Sequence, residues 1–373
     1  MLGQIVGALW GTAVGCVTAL LPGTSAMQAT WGAAAISIVA PLATPVSVLC
    51  ANVTHVVVGS IKEAVAPLLS GSPSVLAAVT PQSAAELAES IEPRHFALSL
   101  IMGKVLAATL GAIVGLVFGG IIAAINVPGA VLSLLIGCGL IAAAKSRNDI
   151  SLEKAIMWLA GMQAWFLLAQ ILGVTNPVYV LSICMFLIPA AARGWKVSNR
   201  CGALKPPLTI NPMATAGGSA VALFTPGVSA AAITTGVSKP GLSNLVTAAC
   251  TDAALEAMAI TMMAFYGFTT GKTAMGTELG MIAPGHVFLA VGILMLATFI
   301  ALALVPLVLG LYQNQAILSG FRLIYIAMLP IYAIVTCGAA AFILIPGGLA
   351  LYWAQTKYLR GELRSLTFLG LVL

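Results

Sequence analysis

Apolar residues run in helix-length blocks along most of this chain, and polar residues gather in the short stretches between them. The blocks fall at about 2–21, 46–61, 96–125, 130–144, 155–173, 179–192, 242–265, 287–311 and 323–345. A spanning helix needs ~20 predominantly apolar residues. The pattern therefore predicts an all-α integral membrane protein of roughly eight to ten transmembrane helices, with re-entrant or broken helices besides. Gly3, Gly7, Gly11 and Gly15 recur on one face of the first block. Small residues at that spacing let helices approach closely. The block starts at Leu2 with no basic segment ahead of it and outlasts a signal peptide, so it reads as an uncleaved first span.

Two apolar runs end alike. Leu20-Leu21-Pro22-Gly23-Thr24-Ser25-Ala26 follows the first, and Phe224-Thr225-Pro226-Gly227-Val228-Ser229-Ala230 follows a short run near the middle. Proline lacks an N–H and clashes with the preceding turn, and glycine tolerates positive φ. A Pro-Gly pair between apolar runs thus breaks a helix, and two copies suggest an internally duplicated membrane protein of two related halves with broken helices at its centre. Thr30 and Thr234 stand at the same offset from the two copies. Half-helix N-termini offer free N–H groups to an anion. Unwound carbonyls and hydroxyls suit Na⁺. Pro22, Gly23, Thr24, Ser25, Thr225, Pro226, Gly227 and Ser229 are therefore candidate substrate-binding residues, with the two breaks expected to meet near the membrane midplane. An ordinary surface turn at each copy is the competing reading.

Composition narrows the class without changing it. Of 373 residues, 60% are hydrophobic and 7% charged, with a mean hydropathy of +1.08. A soluble domain carries roughly 25% charged residues. The net charge of +6 does not point to nucleic acid, because the basic residues lie mostly in loops. Lys145, Arg147 and Lys154 flank one loop, and Arg193, Lys196, Arg200 and Lys205 the next. These loops bracket one helical hairpin and so share a side. The positive-inside rule makes that side cytoplasmic, with the tail of Lys357, Arg360 and Arg364. The expected location is the cytoplasmic (inner) membrane. The chain divides into an N-terminal repeat at 1–144, a central hairpin at 145–205, a C-terminal repeat at 206–345 and a basic tail at 346–373. The seven cysteines form no CxxC pair and the three histidines no HxxxH pair. Without a P-loop or a GxSxG, an enzyme is not expected, nor any cofactor beyond a coupling Na⁺ or H⁺.

A few polar residues inside the blocks carry the remaining chemistry. Asn52 and His55 are spaced to share a helix face and are candidates for substrate binding. Lys62 and Glu63 follow, read first as an interfacial pair and second as a functional polar site. Lys104 lies within the next block. Asp252 and Glu256 lie one turn apart in a block of spanning length. A carboxylate there costs ~2.5–3.5 kcal/mol on insertion scales, so ion coupling is the functional reading. A helix lying near the interface, or neutralisation by Lys239 or Lys272, is the structural one. Glu86, Glu89 and Glu92 read as the solvated face of a short helix.

At these residues the chain resembles the large membrane subunit of tripartite tricarboxylate transporters, the TctA-like family, most of all its shorter, archaeal-type branch. The similarity lies in Gly15 to Ala26 with its Leu-Pro-Gly, Val53-Thr54-His55 through Ile61, and Gly71-Ser72-Pro73. In the second half it lies in Thr225 to Ser229, Asp252-Ala253-Ala254 and Gly271-Lys272-Thr273-Ala274. The family's Pro-Gly is usually followed by an apolar residue and Gly or His, where this chain has Thr24-Ser25 and Val228-Ser229. The resemblance implies a cation-coupled secondary transporter, a symport permease for small organic anions such as carboxylates, with inverted repeats. It also implies a small membrane subunit and a periplasmic binding protein as partners, besides the lipid bilayer; a homo-oligomer is a further expectation. Pro-Gly-x-Ser also resembles bacterial membrane proteins that recycle undecaprenyl phosphate, which implies an anionic lipid as substrate. A third reading is a non-transporting membrane assembly component, suggested by the small-residue faces.

Overall fold

The structure, a computed structural model, describes residues 2–21, 24, 26–65, 90–124, 152–174, 180–181, 183–184, 188–192, 194–197, 202–224, 230, 233–234, 242–268 and 282–358. The named helices are α1 Leu2–Leu20, α2 Ala26–Ala34, α3 Thr44–Val65, α4 Pro93–Ala124, α5 Leu152–Ile171, α6 Ile188–Ala192, α7 Pro212–Phe224, α8 Leu242–Tyr266, α9 Gly285–Tyr312, α10 Gln315–Cys337 and α11 Ala341–Tyr358. Among the described residues, six helices are long and apolar enough to cross a membrane: α1, α3, α4, α8, α9 and α10. The protein is an all-α, multi-pass membrane protein. The predicted block at 130–144 lies outside the described residues.

Burial sorts these helices. Their spanning windows are 72% buried in α3 and 83% in α8, but only 17% in α9 and α10. Phe118 of α4, Phe299 of α9 and Leu323 of α10 point outward and exposed. An apolar surface of this kind is solvated by lipid. The polar residues of α3 and α8 lie away from lipid because these two helices form the centre.

Glycine contacts fix the helix directions. Gly7, Gly11 and Gly15 of α1 lie against Ala43, Ser47 and Ala51 in that order, so α1 and α3 run parallel. A Cβ on Gly7 would stand 2.7 Å from the Ala43 carbonyl oxygen, and one on Gly15 2.6 Å from that of Ala51. No side chain fits there. The return path is α2 with two short 3₁₀ turns, Ala35–Ile38 and Pro41–Ala43. Trp10 Nε1 ties it to α1 through the Gly32 carbonyl at 3.2 Å, and Ser47 Oγ to α3 through the Ala33 carbonyl at 3.0 Å. Gly103, Gly111 and Gly115 of α4 meet Cys250, Ala254 and Met258 in the same order, so α4 and α8 are also parallel. So are α7 and α8: the Asn211 N–H donates to Thr247 Oγ1 at 3.1 Å, and Gly218 lies against Thr251 further along.

The central pair is antiparallel. Val46, Leu49 and Val53 cluster with Ile260 and Met263, whereas Val57, Ile61 and Val65 cluster with Leu245, Val246 and Cys250. Helix α9 follows α3: Ile293 joins the first cluster, Val308 and Tyr312 the second.

The C-terminal segment differs from the sequence reading. The block at 323–345 is two helices, because Gly338 turns the chain with a φ of 52°, in the region that favours glycine. Pro346-Gly347-Gly348, expected to open a tail, lies inside α11. That helix packs on α5, where Trp165 Nε1 donates to the Leu344 carbonyl at 3.0 Å. A Cβ on Gly348 would stand 2.6 Å from Cys184 Sγ.

Candidate functional site

Helix α1 has 19 residues, roughly 28 Å at 1.5 Å per residue, nearly the whole hydrocarbon thickness. The first Pro-Gly break therefore follows a nearly complete crossing. Tyr312, the last residue of α9, reaches the Leu20 carbonyl through its hydroxyl at 3.4 Å, so α1 and α9 end together. Near the second break, Phe224 at the end of α7 packs its ring on Phe268, past the end of α8, at 6.4 Å between centroids. Because α3 and α8 are antiparallel, these two ends lie toward opposite faces of the bundle. The expectation that the breaks meet near the midplane falls on residues outside the described ones. Pro22, Gly23, Ser25, Thr225, Pro226, Gly227 and Ser229 lie outside the described residues.

Thr24 is described, and it organises the end of α1. Its Oγ1 donates to the Leu21 carbonyl at 2.7 Å and also meets that of Thr18. Lys62 Nζ donates to the Thr24 carbonyl at 2.8 Å and to Thr24 Oγ1 at 3.0 Å. Lys62 is only 3% exposed. An ammonium at this position faces the negative end of the α1 dipole. Among the described residues, no carboxylate lies within 4.0 Å of it.

The expected Lys62–Glu63 pair is split. Successive residues on a helix point in different directions. Glu63 turns instead to Lys104 of α4, whose Nζ stands 2.7 Å from Glu63 Oε2 and 3.1 Å from the Val56 carbonyl. Both side chains are largely buried, 5% exposed for Lys104 and 18% for Glu63. About two turns earlier on α3, His55 Nδ1 is 3.0 Å from Thr18 Oγ1. Among the described residues, two buried ammoniums and an imidazole thus lie on this side of α3, and Glu63 pairs with Lys104.

Asn52 is 1% exposed, and neither of its amide atoms has a partner among the described residues. The Thr30 and Thr54 hydroxyls are buried in the same condition. Buried polar atoms left unbonded by protein are the ones a water or ligand satisfies. Asp252 and Glu256 are half-buried on α8. Cys250, two residues before Asp252, lies against Gly103 and approaches the Leu100 carbonyl at 3.8 Å. This places Asp252 at the level of Lys104. The structure thus brings Thr24, His55, Lys62, Lys104 and Glu63 to one end of the bundle, with Asp252 on the helix beyond.

Thr18 is the residue that sequence reasoning passed over. It continues the Gly7-Gly11-Gly15 face by one turn, and that spacing is the signal that aims it at α3. Compared with family models, curated proteins and solved structures, the chain matches none.

Proposed function

We propose that the protein is a secondary active transporter of small organic anions, with carboxylates as the substrate class. The observation that carries this reading is Lys62: a buried ammonium that, among the described residues, is held by Thr24 at the end of α1 and has no carboxylate within 4.0 Å. Burying a charge without an opposite partner is costly. A substrate carboxylate at Lys62 supplies the missing charge, and the nearby N-terminus of α2 favours an anion electrostatically. Asp252 and Glu256 are assigned the coupling of Na⁺ or H⁺ from the far side of Lys104.

The helix directions favour inverted repeats. Helices α1, α3 and α4 run up, up and down; α7, α8 and α9 run down, down and up. A two-fold axis in the membrane plane relates such an order. The basic loops face the cytoplasm in this reading, and a binding protein outside with a small membrane subunit completes the assembly.

Uptake of labelled di- and tricarboxylates into proteoliposomes, with and without a Na⁺ gradient, tests this. Lys62→Met is expected to abolish uptake in protein that still elutes as one species, and Lys62→Arg to retain part of it. No uptake of any carboxylate under any gradient would remove the reading.

A further inference from the structure

A second basic site lies away from the α1–α3 patch, where the segment 194–197 crosses the first turns of α10. A cavity of about 640 Å³ opens there, lined by Lys196, Gln315, Ser319, Arg322, Leu323 and Ile326. Its walls are tied. Gln315 Nε2 donates to the Trp195 carbonyl at 3.1 Å, and Gln315 Oε1 accepts from the Val197 N–H at 3.0 Å. Arg322 donates to the Ala191 carbonyl from Nε at 3.2 Å and from Nη2 at 2.9 Å. The Trp195 ring, buried, packs on Tyr325 at 5.3 Å between centroids.

Among the described residues, those bonds use two of the five guanidinium N–H groups and leave three for a ligand. Lys196, exposed beside them, adds a second positive charge. Among the described residues, no carboxylate pairs with either cation. A guanidinium fork with an adjacent ammonium suits a phosphate. The other wall is apolar: Leu323 is 68% exposed and Ile326 40%, and the same helix presents Met328, Ile331 and Ile334 outward beyond them. Cations stand at the start of a spanning helix, and a lipid-facing apolar track leads away from them.

We propose that this cavity holds the headgroup phosphate of an anionic glycerophospholipid, with the acyl chains along α10. A free phosphate would use the two cations but not the apolar wall. Basic pockets beside spanning helices at the membrane boundary select anionic lipids in this way.

The test uses the full chain, delipidated in neutral detergent and titrated with phosphatidylglycerol, phosphatidylcholine or inorganic phosphate. Thermal stability and native mass spectrometry are the readouts. Phosphatidylglycerol is expected to raise the melting temperature and to remain bound, phosphatidylcholine to do neither, and millimolar phosphate not to compete. Lys196→Glu, an exposed change outside the bundle's packing, is expected to weaken phosphatidylglycerol binding at least about fivefold. Arg322→Lys keeps the charge without the fork and should weaken it as well. Equal binding of the two lipids, an unchanged Lys196→Glu variant, or displacement by inorganic phosphate would each overturn the proposal.

Discussion

Gly11 of α1 and Gly111 of α4 sit in equivalent surroundings. A Cβ on either would run into the carbonyl oxygen, carbonyl carbon and Cα of one residue in a parallel neighbour, Ser47 in one case and Ala254 in the other. One turn on, a Cβ on Gly15 would lie 2.8 Å from the Cβ of Thr54, and one on Gly115 3.1 Å from that of Thr261. The two helix pairs share a contact but carry different loads. Past Thr54, α3 buries His55 and Lys62. Past Thr261, α8 continues with Met262, Met263 and Phe265. The α8 hydroxyls are internally satisfied: Thr247, Thr251 and Thr261 each donate to the carbonyl four residues back, at 2.8 Å. The glycine contact is therefore scaffold, and it does not report where the chemistry is. The polar residues packed around each contact differ: His55 and Lys62 are buried on α3, whereas Asp252 and Glu256 are half-buried on α8.

The scaffold half of this comparison predicts the largest effects. Gly11→Leu and Gly111→Leu should both prevent a native bundle. Overpacking costs about 1–3 kcal/mol and sometimes more, and here the atoms in the way are helix backbone, which cannot swing aside. Gly217→Leu is the control, since a Cβ there meets nothing within 4 Å. Size-exclusion profiles and thermal melts in detergent measure all three. If Gly11→Leu folded normally while Gly111→Leu did not, the two contacts would not be equivalent.

The next effect falls on the charged half alone. Glu63→Gln removes the carboxylate from Lys104 and leaves a buried ammonium with a neutral amide. Breaking a largely buried pair from one side costs ~3–5 kcal/mol. A large drop in melting temperature is expected, with partial recovery when Lys104→Met is added. Equal destabilisation by the single and double variants would mean that the pair is not coupled.

The sequence made the scaffold legible and the site only partly so. Glycine spacing in α1 and helix-length apolar runs are local properties, so α1, α3, α4, α8 and α9 follow directly from them. The polar residues of α3 were visible as well, but their partners were not. Lys62 and Glu63 look like a pair because they are adjacent, whereas a helix turns them to different neighbours, Thr24 past the end of α1 and Lys104 on α4. The parallel setting of α1 and α3 and the antiparallel setting of α3 and α8 are tertiary facts. The Gly338 break was missed because its neighbours Ala339, Ala340 and Ala341 are as apolar as a continuing helix.

The smallest expected effect is the most discriminating. Thr54→Val and Thr261→Val make the same near-isosteric change at equivalent places in the two contacts. Thr261 would lose its bond to the Ala257 carbonyl, an intrahelical bond worth no more than ~1 kcal/mol. Thr54 would lose no partner, because its hydroxyl has none among the described residues. Replacing an unsatisfied buried hydroxyl by a methyl group is neutral or stabilising. Stability alone should thus rank Thr54→Val at or above the wild type and Thr261→Val slightly below it. The proposed transport should rank them the other way, because a buried hydroxyl with no partner among the described residues is one that a substrate or its water can use. A Thr54→Val protein that melts higher yet takes up carboxylate normally would reduce Thr54 to packing, and would confine the chemical difference between the two pairs to His55, Lys62 and Asn52.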